Sequence, residues 1–198
     1  MSPEDRRAAA PPAIVAPEPG TVADVFAEAL PKVTMQPIQG ALDVLIVVSR
    51  DDIRPVLELA RHDARLQFDF LRNLSGVDYE ADGFEVVYHL YSYSKRHNVT
   101  IKAKVPTEDP RIATAADLWR AADWHERECR DMFGIVFEGH PNLVPILLPD
   151  DMLDHFPLRK EVPLAPLEEW QGTNLGTEMG RAGHIPPGSG ISVEAAAD

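Results

Sequence analysis

The sequence predicts an α+β fold: a small mixed, largely antiparallel sheet with helices packed on it, followed by an extended Pro/Gly-rich C-terminal arm. Three observations predict it. Phe84, Val86, Tyr88 and Leu90 alternate with Glu85, Val87, His89 and Tyr91; across Ser94-Lys95-Arg96, Val99, Ile101, Ala103 and Val105 alternate with Thr100, Lys102 and Lys104. Two such period-two runs a few residues apart predict a hairpin with one wet face. Next, Leu118, Ala122, His125, Cys129, Met132 and Phe133 fall on one side of a helix drawn at about 100° per residue. Finally, Pro166, Gly172, Gly176, Gly180, Gly183, Pro186, Pro187, Gly188 and Gly190 leave no periodicity after Leu164.

In chain order, residues 1–20 are Ala/Pro/Glu-rich and read as a disordered tail. They contain acids and prolines and no h-region, so no secretory signal is expected. Thr21-Val22-Ala23-Asp24 opens a short helix in which Val22, Val25, Phe26 and Leu30 keep helical spacing, and Pro31 follows its end. Val33 to Ile38 and Leu42 to Val48 read as strands joined around Gly40, the second buried on both faces. Ser49 or Asp51 can cap a helix running to about His62, with Ile53, Val56, Leu57 and Ala60 inward. Phe68 to Leu74 fits helix or strand, and Asp82-Gly83 marks a turn. A helical region near Thr114, bearing Leu118 and Trp119, leads into the helix that ends at Gly134. The expected organisation is a domain over 21–134, an arm over 135–190 and a tail over 191–198.

On the remaining face of that helix, Asp123–Arg127, Glu126–Arg130 and Arg127–Asp131 are opposite charges at i,i+4, each worth roughly 0.2–0.5 kcal/mol if exposed. Trp124, Glu128 and Asp131 form a second line. After Gly134, Pro141, Pro145, Pro149, Pro157 and Pro163 punctuate a run carrying Ile135, Val136, Phe137, Leu143, Ile146, Leu147 and Leu148. Proline opposes long helices and central strands, yet the run is too apolar for open solvent. It suits a stiff ribbon laid across another surface, or a segment packed on its own domain.

At 198 residues the chain holds one domain with tails. A formal net charge of −13 argues against nucleic acid and anionic membrane surfaces as partners. No apolar run approaches the ~18–20 residues of a membrane span. Cys129 stands alone, so it forms no internal disulfide and cannot by itself hold an iron–sulfur cluster. His125, Glu126, Glu128, Cys129, Asp131 and His140 invite a metal reading, but they are spread over different helix faces and no His-Glu-x-x-His occurs. No glycine-rich phosphate loop follows a strand. His140 before Pro141 suits a backbone hydrogen bond in a tight turn. Arg159-Lys160 suits carboxylates on a partner, or Asp150, Asp151 or Asp154 nearby.

Glu126-Arg127-Glu128, Asp131-Met132-Phe133-Gly134-Ile135, Phe137, Gly139-His140-Pro141 and Pro157-Leu158-Arg159-Lys160 stand in the order and spacing of a known signature. The run resembles the C subunit, of 30 kDa type, of proton-pumping NADH:quinone oxidoreductase (respiratory complex I). It departs from the family at Val144-Pro145, where two basic residues are usual, at Arg130, where an aromatic is, and at Glu161, where Asp is.

The resemblance implies a non-catalytic structural and assembly role in the peripheral arm, in a complex that passes electrons from NADH through iron–sulfur clusters to ubiquinone or menaquinone and translocates protons. It implies no catalytic, cofactor-binding or metal residues in this chain, with FMN and the clusters in other subunits. The implied partners are the 49 kDa-type (D) subunit and the cluster-bearing B and I subunits, at the cytoplasmic face of the bacterial inner membrane. Trp124, Arg127, Glu128, Asp131, His140, Pro141, Pro157, Leu158, Arg159 and Lys160 are the expected partner-binding residues. The alternatives are the equivalent subunit of a membrane-bound [NiFe] hydrogenase or other donor:quinone complex, a freestanding metal-dependent hydrolase using His140 with Glu128 or Asp131, and an unrelated adaptor.

Overall fold

Alternation of apolar residues places one face of the main sheet's inner strands in a shared core with three helices. The computed structural model describes residues 22–39, 44–149, 152 and 155–162. The expected N-terminal tail, the turn at Gly40, the arm beyond 162 and the C-terminal tail lie outside these residues. The elements run α1 (Val22–Ala29), β1 (Gln36–Gln39), β2 (Val44–Ser49), α2 (Ile53–His62), β3 (Phe70–Asp78), β4 (Phe84–Ser92), β5 (His97–Val105), β6 (Arg111–Ala113), α3 (Ala122–Phe133) and β7 (Val136–Glu138). The main sheet has the order β1-β2-β5-β4-β3, and β2–β5 is its parallel pair; the other three pairs are antiparallel. The expected mixed, largely antiparallel sheet is therefore present.

Register explains the core. Val86 lies opposite Ala103, Tyr88 opposite Ile101 and Leu90 opposite Val99, while Ile46 and Val48 pair with Ile101 and Ala103 from the other side. These residues share one sheet face, and with Phe26 of α1, the inward stripe Ile53, Val56, Leu57 and Ala60 of α2, and Cys129 and Phe133 of α3 they form one apolar cluster. The predicted inward residues of α2 are all buried. A 3-10 turn, Arg50–Asp52, precedes that helix, and Asp52 in the cap position makes no side-chain cap bond. The cap expected from Ser49 or Asp51 is thus replaced; the Ser49 hydroxyl instead donates to Asp52 Oδ2 at 3.0 Å.

Three other expectations are corrected. β2 is buried on one face only: Val44, Ile46 and Val48 are covered, whereas Leu45 and Val47 are half-buried. The hairpin face opposite the helices is not simply wet. Glu85, Val87 and Thr100 are buried there, with Lys102 Nζ 2.7 Å from Glu85 Oε1 and the Thr100 hydroxyl 3.1 Å from His89 Nδ1. The region from Thr114 to Ala121 is a series of turns rather than helix, and Trp119 is buried there with its Nε1 donating to the Phe68 carbonyl at 2.9 Å.

α3 lies over β3 at Gly76. A Cβ there would come 2.6 Å from Phe133 Cδ2. Gly76→Ala should therefore displace a mostly buried ring and lower stability by about 1–3 kcal/mol, the usual cost of overpacking. A urea midpoint unchanged from wild type would show that the ring gives way freely.

Candidate functional site

α3 is a helix of 12 residues ending at Gly134, whose φ of 77° and amide bond to the Arg130 carbonyl (2.8 Å) make the left-handed C-cap expected from its sequence. Its charged side chains do not form the surface ladder predicted for them. Glu126 and Asp131 are fully buried. Ala122, Glu126, Cys129 and Phe133 make the inward stripe at i, i+4, i+7 and i+11, so a helical wheel centred on that line would have found Glu126. His125 is turned outward to half-exposure, contrary to the expected face.

Each buried carboxylate is matched by donors from elsewhere in the chain. Glu126 accepts the Thr114 hydroxyl and the Ala115 amide, the latter at 2.6 Å. Burial is the main cause that lifts its pKa to about 7; the bonds from Thr114 and Ala115 oppose it, and Asp117 and Asp123 add repulsion. The loop holding Thr114 is itself tied to α2. Arg54 makes a bidentate pair with Asp117 (2.7 and 2.6 Å) and donates to the Thr114 carbonyl at 3.0 Å. The adjoining β6 pairs in parallel with β7, Ile112 opposite Phe137. Ile135 and Phe137 are buried, so the folded chain continues past Gly134.

Asp131 Oδ2 accepts three successive amides, from Ile146 and Leu147 at 2.8 Å and Leu148 at 3.3 Å. Burial alone would raise its pKa, but these amides and the Arg130 charge together hold it below the ordinary 3.8. Arg127 lies one turn earlier and donates to the Val144 and Pro145 carbonyls at 2.8 and 3.0 Å. His140 is also inward, its side chain 0 % exposed. Its Nδ1 accepts the Asn142 amide at 3.0 Å, so its Nε2 carries the hydrogen donated to the Asp123 carbonyl at 3.1 Å. That is the backbone role expected for a histidine before proline.

At the other end of α3, Arg159 Nε donates to the Phe133 carbonyl at 2.8 Å, and its guanidinium lies 4.4 and 5.1 Å from the Phe156 and Phe84 ring centroids. A cation on the last carbonyls of a helix is favoured by the dipole. The Leu158 amide donates to Met132 O at 3.2 Å and the Lys160 amide to Asp78 Oδ2 at 2.8 Å. Between the two readings of the ribbon, residues 140–148 and 156–160 thus pack on their own domain. The suggested partners Asp150, Asp151 and Asp154 lie outside the described residues.

The ten expected partner-binding residues therefore divide. Arg127, Asp131, His140 and Arg159 hold the chain's own backbone, and Pro157 is half-buried. Trp124 (66 % exposed), Leu158 (56 %), Glu128, Pro141 and Lys160 face solvent, joined by Leu147 (57 %), which the sequence does not single out. Burial pushes the Cys129 thiol up to about 12, in keeping with a small core residue. Among the described residues no group of three or more His, Cys, Asp or Glu could hold a metal ion, and no helix is long and apolar enough to cross a membrane.

Comparison with known proteins agrees with this architecture. The sequence model of the family described as respiratory-chain NADH dehydrogenase, 30 Kd subunit, matches residues 46–168. The C subunit of NADH-quinone oxidoreductase from Roseiflexus sp. (strain RS-1) is 42 % identical over 146 residues, covering 73 % of this chain and 83 % of that protein. The C subunit of F(420)H(2) dehydrogenase from Methanosarcina mazei is 39 % identical over 125 residues, covering 63 % and 78 %. The trypsin-resistant fragment of Nqo5 superposes with a TM-score of 0.52 at 35 % identity, covering 61 % of this chain and 98 % of that one. A chain of an archaeal membrane-bound sulfane sulfur reductase shares the fold at a TM-score of 0.63 and 21 % identity, covering 89 % and 96 %. With the signature helix, its ribbon and strands β3 to β7 all within the matched span, the chain belongs to the 30 kDa subunit family of respiratory-chain NADH dehydrogenase.

Proposed function

We propose that this protein is a structural and assembly subunit of the peripheral arm of a bacterial NADH:quinone oxidoreductase, contributing surface rather than catalytic groups. One observation carries the reading beyond family membership. Glu126, Asp131, His140 and Arg159 are engaged by their own chain, while large apolar side chains are left out: Trp124, Leu147 and Leu158. Asp131 and Arg127 hold the ribbon by its backbone, and Arg159 of the ribbon holds the Phe133 carbonyl of α3, so the backbone that presents the exposed side chains is fixed before any partner arrives. Pre-ordering lowers the entropy lost on association.

In this reading the 49 kDa-type (D) subunit is the main neighbour, with the cluster-bearing B and I subunits nearby. FMN and the iron–sulfur clusters reside in other subunits, and the protein lies peripherally on the cytoplasmic face of the membrane through its partners. A second reading has one specific support, the 39 % identity with a component of an F(420)H(2) dehydrogenase. Under it, the same module serves a complex with another electron donor.

The test is copurification. A tagged full-length chain should bring down the oxidoreductase subunits in equal amounts, and the recovered complex should reduce quinone with NADH. Recovery with activity only towards a different donor selects the second reading; recovery of neither rejects both. Leu158→Asp should lower the assembled complex on the order of tenfold, since a charge in a desolvated contact is costly. The lone chain's stability should change by no more than about 0.5 kcal/mol, because the side chain is exposed. Native-gel assembly at the wild-type level would remove Leu158 from the interface.

A further inference from the structure

β3 ends the strand order and, among the described strands, is paired on one side only, by β4. A bulge between Leu71 and Asn73, with the exposed Arg72 within it, interrupts the Phe70 end. Bulges and charges are devices that blunt an edge against pairing. From Asn73 to Asp78 the register is regular and neither device recurs before Asp78, whose carboxylate is engaged by the amides of Glu80 and Lys160. Among the described strands this leaves a short backbone edge without a strand partner, of which Gly76 is engaged by the Cys129 thiol of α3.

Beside that edge runs a groove of about 230 Å³. It is lined by Asn73 to Gly76 of β3, by Glu128, Cys129, Met132 and Phe133 of α3, and by Leu158. It is smaller than the roughly 300–1,000 Å³ of a small-molecule pocket and suits one or two side chains of a polypeptide. Glu128 is the one charged residue lining it among the described residues. Its neighbour His125 is at the outer limit of an ion pair, 4.0 Å.

Resting on the assembly role above, we infer that the Asn73–Val77 edge and this groove receive an extended segment of another subunit, which adds a strand to β3 and sets a basic residue against Glu128. Strand addition satisfies the open backbone groups, and alternate side chains of the added strand enter the groove. A second copy of this chain is the weaker occupant. It would oppose Glu128 to Glu128 and bring together two chains of formal net charge −13 each.

The experiment uses the full-length chain in its host cells, with the photo-crosslinker p-benzoylphenylalanine placed at Asn73, at Leu158, and at the exposed Glu58 of α2 as a control. Crosslinked peptides are identified by mass spectrometry. The expected result is that Asn73 and Leu158 capture the same short segment of one neighbouring protein of the complex, that this segment contains Lys or Arg, and that Glu58 does not capture it. Glu128→Lys should lower that capture on the order of tenfold, and Glu128→Gln less, as expected for a charge contact at an interface. Capture of two unrelated segments, capture of another copy of this chain, or capture unchanged by Glu128→Lys would overturn the inference. The two readings fail separately. Full recovery of the oxidoreductase with no crosslink from Asn73 rejects the strand and keeps the assembly role. The expected crosslinks to a protein outside an oxidoreductase do the reverse.

Discussion

Asp131→Ala releases the ribbon from α3 and lowers the unfolding free energy by about 3 kcal/mol. A hydrogen bond to a charged group contributes about 1.5–3 kcal/mol, and one oxygen of Asp131 collects three. The sum is not reached, because the freed amides of Ile146, Leu147 and Leu148 are only partly buried and regain water as the ribbon lifts. The loss is limited to what the ribbon itself adds to the fold. Asp131→Asn keeps an acceptor but removes the charge, and should cost about half as much. Amide exchange provides the direct measurement: protection at residues 146–148 should vanish in Asp131→Ala while that of β4 and β5 remains. Equal protection in variant and wild type would mean that the ribbon is held by its apolar contacts alone. The carboxylate's lowered pKa sets the pH dependence. Its contribution is fully present above the unfolded value near 3.8 and is lost as pH falls through the lower folded value. Acid should therefore release the wild-type ribbon, and the Asp131→Ala variant should lack that step. Because the same ribbon displays Leu147 and Leu158, assembly should fail with it.

What the sequence discloses of this arrangement follows from how far apart the interacting residues lie. The α2 stripe, the hairpin and the Gly134 cap are local patterns, with partners within a turn or across a short loop, and they are legible from spacing. β3 is ambiguous in the sequence because its bulge at Arg72 breaks the period of two. β6 and β7 have three residues each, too few to show any period, and they meet only because α3 joins them. The fates of Glu126 and Asp131 are the clearest case. Periodicity assigns a charge to solvent, yet the donors that make burial tolerable come from Thr114 and Ala115 in one case and from residues 146–148 in the other. Their i,i+4 relation to Arg130 and Arg127 points to surface pairs. In the fold, Arg127 faces the ribbon carbonyls instead.

Glu126→Gln should remove a pH dependence amounting to about 3 kcal/mol between pH 4.5 and pH 7. The folded carboxyl holds its proton up to about 7, whereas the ordinary value is 4.5, and each unit of difference corresponds to about 1.4 kcal/mol. Between those values the folded state binds more protons than the unfolded state. Stability contributed by this group is thus complete below pH 4.5, falls as pH rises, and is gone above about 7. The protonated acid fits the site: Oε1 accepts the Ala115 amide, and a proton on Oε2 turns the Thr114 contact into a bond donated to that hydroxyl. Glutamine reproduces both contacts without a charge to expose. Several titratable groups surround the carboxyl. Tyr88 faces it from β4, its own ionisation pushed up by burial and then by Glu126; His140 Nε2 lies 3.9 Å away from the turn after β7. Asp123 and Cys129 share α3 with it, and Asp117 lies on the loop after β6. Titrations that do not couple to Glu126 cancel in the difference between wild type and variant, so urea midpoints at pH 5 and pH 8 read Glu126 together with the groups coupled to it. The variant should match wild type near pH 5 and exceed it at pH 8. Parallel curves over that range would mean that the ionised carboxylate is as well accommodated as the acid, through the same Thr114 and Ala115 donors.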